Sequence, residues 1–203
     1  MKKKQKNTSI QKEIDHKIKN NLNIVSSILG LEIYNLKYNS TYNIADILKK
    51  NKLRIETLAI VHDSSNKSAD AKNVDFKKFV KSLSDLYNSD IEIEVKAKQT
   101  NIELDTMLGI GIILNELLTN SLKYAFSHKK DDKKILITLK KFKNSCLLTY
   151  YEKGNKLVDI AKIKQNKTLG IKLIILTIKQ MKADMNITQN GGLLFTIDFK
   201  CQV

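Results

Sequence analysis

The sequence predicts an α+β protein whose N-terminal part is an antiparallel helical hairpin and whose remainder is an α/β sandwich. Three observations carry that class. Ile10, Ile14, Ile18, Leu22, Val25, Ile28 and Leu29 recur at spacings of three and four, and Ile44, Leu48, Ile55, Leu58 and Val61 form a second such stripe. Residues 64–73, SSNKSADAKN, are polar and unpatterned. Beyond them the period shortens to two, first in IEIEVKA at 91–97.

The first stripe predicts one helix over residues 8–37, about 45 Å long at the α-helical rise. The polar break YNST at 38–41 ends it, and Ser40 or Thr41 is placed to cap a second helix reaching about residue 64. Two helices joined so closely run antiparallel. A hairpin alone cannot bury both stripes, so the expectation is a homodimer, closed as a four-helix bundle through residues 8–64. The predicted domains are therefore 1–66 and 67–203. In the second, Phe76, Phe79, Val80, Leu83 and Leu86 mark a helix before the strand at 91–97. A strongly apolar helix is expected over 105–126, strands over 134–142 and 146–152, and a lysine-rich loop over 153–168. A helix over 169–181 and two strands around the tight-turn signal Asn190-Gly191-Gly192 complete the set. The order is mixed and lacks regular βαβ repeats.

Composition limits the function classes. The chain has 203 residues, 36 basic and 21 acidic, for a net charge of +15, and 42% hydrophobic content suffices for a core. Such a charge first suggests nucleic acid or an anionic membrane. Yet every basic residue except Arg54 is lysine, and no aromatic platform interleaves with the lysines. Base and phosphate forks rely on arginine, so the expectation is a solvated lysine surface and no nucleic-acid partner. No apolar run is long enough to span a bilayer, and the start MKKKQKNTSIQKEID is too polar for a signal peptide. Two cysteines, Cys146 and Cys201, make no disulfide framework and no zinc spacing. The chain is expected to be soluble and cytoplasmic, with reduced thiols.

Two segments can carry chemistry. In EIDHKIKNN (13–21), His16 lies about 200° around the helix from Ile14, so it faces away from the apolar stripe. It is either a surface histidine or a nucleophile that Asp15 or Asn20, one turn on, orients. In NELLTNSLKY (115–124), Asn115, Thr119, Asn120 and Lys123 are read near one face of an apolar helix, with Glu116 beside them. Amide and carboxylate oxygens suit Mg²⁺, and a lysine suits phosphate. The alternative is a plain polar stripe on a half-buried helix.

Together these segments resemble the sensor histidine kinases, in the subfamily related to the HWE kinases. EIDHKIKNNLNIVSSILGLE (13–32) resembles its H-box, and RIETLAIVHD (54–63) its second bundle helix. LGIGIILNELLTNSLKYAF (108–126) resembles the N-box of the GHKL ATPase fold, while LGIKLIILTIKQM (169–181) and NGGLLFTIDF (190–199) resemble a later glycine box and closing hairpin. The segments occur in the family's order over nearly the whole chain. The resemblance implies a GHKL-type α/β sandwich that uses ATP and Mg²⁺. It makes His16 the phosphoacceptor, with Asp15, Asn20 and Glu116 assisting, and gives Asn115 and Asn120 the metal and phosphate. It places Thr119, Lys123, Tyr124, Thr168, Leu169, Gly170 and Gly192 around the nucleotide. His62 aligns with a family histidine and is read as structural.

One segment departs from the family pattern. Where the family carries Asp-x-Gly-x-Gly for adenine, this chain reads Glu152-Lys153-Gly154-Asn155-Lys156. Glu152 and Gly154 are then the remaining base-site residues. Three functions follow as expectations. The first is an ATP-dependent histidine kinase passing phosphate to a response-regulator receiver, fed by a separate sensor protein. The second is a phosphotransferase relaying phosphate through His16 without ATP. The third is a non-enzymatic dimeric adaptor or basic binding module.

Overall fold

The computed structural model describes residues 26–34, 36–37, 43–66, 73–87, 91–98, 100–126, 133–153, 168–189 and 191–201. His16, Asp15, Asn20 and Gly154 lie outside the described residues, as do Ser40, Thr41 and most of the 153–168 segment. The chain divides into two compact units between Ile55 and Glu56.

In the first unit, residues 26–34 and 36–37 are helical (α1). α2 spans Ile44–Asn66 and continues past the unit boundary. Its cap is Asn43, whose side-chain oxygen accepts from the Ala45 N–H at 2.9 Å. Arg54 is buried, with its guanidinium 3.3 Å from Glu32 and 3.0 Å from the Asn51 side-chain oxygen. The only arginine is thus spent inside the helical unit. The second apolar stripe divides at the same boundary. Ile44, Leu48 and Ile55 are 61%, 62% and 49% exposed, whereas Leu58 and Val61 are buried.

The second unit has a five-stranded sheet in the order β2-β4-β5-β7-β6, in which β2 runs parallel to β4 and the other pairs are antiparallel. The strands are β2 (Glu92–Ala97), β4 (Lys134–Lys141), β5 (Ser145–Glu152), β6 (Asp184–Gln189) and β7 (Leu193–Lys200). Alternation puts Ile135, Ile137, Leu148, Tyr150, Phe195 and Ile197 on one buried face. α4 (Leu104–Asn120) and α5 (Leu169–Gln180) pack on one another, and the Tyr150 hydroxyl on that face meets Ser121 just beyond α4. α3 (Phe76–Asp85) begins at Asp75, whose carboxylate accepts from the Lys78 N–H at 3.0 Å, and buries Phe76, Phe79, Val80 and Leu83. The β6–β7 turn holds Gly191 at φ 62°, the left-handed region that favours glycine.

Three expectations are corrected. Residues 64–73 are not all linker, because α2 runs to Asn66 and β1 (Asn73–Asp75) pairs antiparallel with β3 (Asn101–Glu103). The helix expected through residue 126 stops being α-helical at Asn120 and closes with a π-turn over Ser121–Ala125. The thiols are not free. Cys146 and Cys201 form a disulfide with Cα atoms 5.8 Å apart, because β5–β7 pairing sets Cys146 opposite Phe199, two residues before Cys201.

Candidate nucleotide site

α4 is apolar all round and buried, so its polar residues must find partners inside the unit. Asn115 and Glu116 are each only 1% exposed. Glu116 points at the first turn of α5, where a Cβ added to Gly170 would lie 2.6 Å from its Oε2 and 3.9 Å from the Asn120 Nδ2. The absent side chain at Gly170 therefore makes room for the Glu116 carboxylate. Thr168 is the N-cap of α5 with extended backbone, and it is exposed, while Leu169 and Gly170 are half-buried. The structure thus brings together Glu116, Asn120, Thr168, Leu169 and Gly170. The positive end of the α5 dipole favours negative charge there.

Asn115 is not part of that group. Its Oδ1 accepts from the Tyr87 hydroxyl at 2.6 Å and from Thr57 Oγ1 at 3.4 Å. Thr119 Oγ1 donates to the Asn115 carbonyl at 2.7 Å and lies 3.5 Å from the Tyr87 hydroxyl. Asn115 and Asn120, paired by sequence reasoning, have different surroundings.

A second cluster closes the far side of the π-turn. Ser121 Oγ donates to Glu152 Oε2 and lies 2.7 Å from the Tyr150 hydroxyl and 3.0 Å from the Leu117 carbonyl. Burial raises the Glu152 carboxyl above its usual range, and the Ser121 hydrogen bond opposes that shift. Burial also raises the Tyr150 phenol well above its usual value, with the Glu152 charge adding to it. Glu152 is therefore engaged inside the protein at the position expected to read a base. Nothing in the sequence pattern singled out Ser121, Tyr150, Tyr87 or Thr57, since lone hydroxyls carry no spacing signal.

Lys123 and Tyr124 are exposed on the π-turn, with the Lys123 ammonium 5.4 Å from the Tyr124 ring centroid. Gly192 lies against β5, where a Cβ would collide with the Glu152 carbonyl and the Tyr151 ring. Among the described residues, no group of three or more His, Cys, Asp or Glu could hold a metal. No helix among them is long and apolar enough to cross a membrane.

The architecture, N-terminal helices followed by an α/β unit, is that of histidine kinase domains. A histidine kinase domain from Erythrobacter litoralis EL346, a blue-light activated histidine kinase, superposes with a TM-score of 0.67 at 18% identity, covering 88% of this chain and 84% of that one. The Acinetobacter baumannii histidine kinase AdeS gives 0.53 at 17% identity, covering 93% and 98%. Residues 13–89 match the HisKA_2 family model, described as histidine kinase. The sensor histidine kinase PdtaS of Mycolicibacterium smegmatis is 21% identical over 168 residues, 80% of this chain and 33% of its own. Blue-light-activated histidine kinase 2 of Erythrobacter litoralis is 21% identical over 196 residues, 92% of this chain and 55% of its own. The chain thus spans about a third to about half of these curated relatives. These are similarities to histidine kinases, in sequence over residues 13–89 for the family model and in fold for the solved domains.

Proposed function

We propose that this protein is an ATP-dependent histidine kinase of two-component signalling. The observation that carries the reading is the convergence of Glu116, Asn120 and the glycine-opened first turn of α5, within a histidine kinase fold. Oxygen donors beside a helix N-terminus suit a magnesium nucleotide, because Mg²⁺ takes few protein ligands and completes its shell with phosphates and waters. Asn120 and Glu116 fit that role. Asn115 does not, because its carboxamide oxygen already accepts from Tyr87 and Thr57. Bound there, Mg²⁺ would neutralise phosphate charge.

The residues of the chain then divide the work. Lys123 and the α5 amides hold phosphate, and Glu152 with Ser121 lines the base end. His16 supplies the nucleophile. Its imidazole nitrogen forms a bond to the γ-phosphorus, the bond from that phosphorus to the β–γ bridging oxygen breaks, and ADP leaves with the electron pair. The imidazole proton passes to Asp15 or water, while Asn20 orients the ring. A receiver-domain aspartate carboxylate next takes the phosphoryl group, restoring His16. Two copies of the chain associate through the helical unit, whose Ile44, Leu48 and Ile55 are exposed.

Incubation with γ-labelled ATP and Mg²⁺ tests this reading. Acid-labile label is expected on the unaltered chain and none on His16→Gln. Label that persists in His16→Gln and disappears in His62→Gln overturns the assignment. Phosphate accepted at His16 from a phosphorylated receiver but never from ATP moves the function to an ATP-independent relay, the direction in which the buried Glu152–Ser121–Tyr150 contact points.

A further inference from the structure

α4 presents polar groups in two directions, and only one of them is the candidate nucleotide site. On the other, Asn115 Oδ1 has two lone pairs and two donors, Tyr87 and Thr57, so its acceptor capacity is filled. Thr57, Tyr87 and Asn115 are 1%, 7% and 1% exposed, depths at which an unmade hydrogen bond is costly. An independent feature draws the same elements together. A Cβ added at Gly111 would meet Thr57 Cγ2 at 3.1 Å and Val61 Cγ2 at 3.5 Å, so α2 approaches α4 where α4 carries no side chain. Thr57 also lies two residues beyond the point in α2 where the compact units divide.

We propose that Thr57 and Tyr87 are positioning residues, which fix the rotation of α4 through Asn115 and thereby aim Glu116 and Asn120 at Gly170. The proposal rests on the reading of Glu116 and Asn120 as nucleotide-site residues. Donors from two elements on one carboxamide oxygen resist turning of the helix, because rotation displaces Asn115 Oδ1 relative to Thr57 and Tyr87. Tyr87, at the end of α3, supplies the fixed reference.

The test uses the full chain with Thr57→Val, Thr57→Ser and Tyr87→Phe. Amide hydrogen exchange over residues 112–122 is read without nucleotide, and the dissociation constant of MgATP is read separately. Loss of either hydroxyl is expected to speed exchange and weaken MgATP by about 3–10-fold, the range a single buried hydrogen bond supports. Thr57→Ser, which keeps the hydroxyl, is expected to behave as the unaltered chain. Thr138→Val, which deletes a hydroxyl paired with Thr149 on the opposite face of the sheet, is expected to change neither reading. Wild-type exchange in both Thr57→Val and Tyr87→Phe overturns the proposal, as does Thr57→Ser matching Thr57→Val, which would make the contact one of packing. If Thr57→Val fails to fold, Tyr87→Phe decides alone. If the unaltered chain binds no MgATP, the nucleotide reading fails, while the exchange data still decide whether these hydroxyls hold α4.

Discussion

The helical unit and the α/β unit dispose of their apolar side chains in opposite ways. Among the described residues of the helical unit, Leu31, Ile33, Tyr34, Ile44, Leu48 and Ile55 are 42–66% exposed, and the conspicuous buried contact is an ion pair, Arg54 with Glu32. In the α/β unit, α4 and the inner sheet face bury nearly everything apolar they carry, and the large exposed apolar side chains among its described residues, Tyr124, Phe142 and Leu176, lie on the π-turn, just beyond β4 and on α5. One unit completes its own core. The other has apolar surface left over, which is the physical basis for proposing that a second copy covers it.

The sharpest break of this contrast is a pair of truncations in the full chain. Leu114→Ala, at a fully buried α4 position, should cost about 2–5 kcal/mol in urea unfolding of the α/β unit. Leu48→Ala should change that transition by less than about 0.5 kcal/mol, and equal effects would erase the distinction between the units. Next in size is the buried ion pair. Arg54→Met strands the Glu32 carboxylate and should lower the stability of the helical unit by about 3 kcal/mol. Adding Glu32→Leu should recover most of the loss, with helical circular dichroism on melting as the readout.

Association sharpens the contrast further. Light scattering at tens of micromolar should give a dimer for the unaltered chain and a monomer for Leu48→Asp, since a carboxylate in an apolar seam lacks a partner. A monomeric unaltered chain removes the bundle reading. The smallest effect belongs to Glu152. A carboxyl raised in the folded state binds its proton more tightly there than when unfolded, so its contribution is full below the ordinary carboxylate range and declines as pH rises through the raised value. Glu152→Gln, which cannot ionise, should therefore melt higher than the unaltered chain at pH 7. That gain should vanish near pH 4.

Much of the architecture was legible in the residues because burial imposes a period. The alternation in β2, β4 and β5 and the spacing of Phe76, Phe79, Val80 and Leu83 located these elements within a residue or two, and the Asn190-Gly191-Gly192 signal marked the turn before β7. β1 and β3 escaped because three residues are too few to show alternation. The disulfide escaped because Cys146 and Cys201 are separated by 55 positions and only strand register sets them side by side. The candidate site was half legible. The Asn-rich segment located α4, but Asn115 and Asn120 are five positions apart, about 140° around a helix at 100° per residue. That arithmetic already separates them, and the motif as a whole obscured it. The hydroxyl partners Thr57, Tyr87, Ser121 and Tyr150 come from distant segments, and only the fold reveals them.

α4 and the first turn of α5 are proposed to form a magnesium-nucleotide site through Glu116 and Asn120, with a base end altered at Glu152. Titration calorimetry with MgATP tests it most directly. Binding is expected to be measurable but weaker than about 100 μM, because Glu152 is drawn to Ser121 and Tyr150 rather than free for a base. Binding should disappear in Asn120→Ala while the fold is kept. Binding that survives unchanged in a folded Asn120→Ala, or no binding by the unaltered chain at millimolar MgATP, would contradict it.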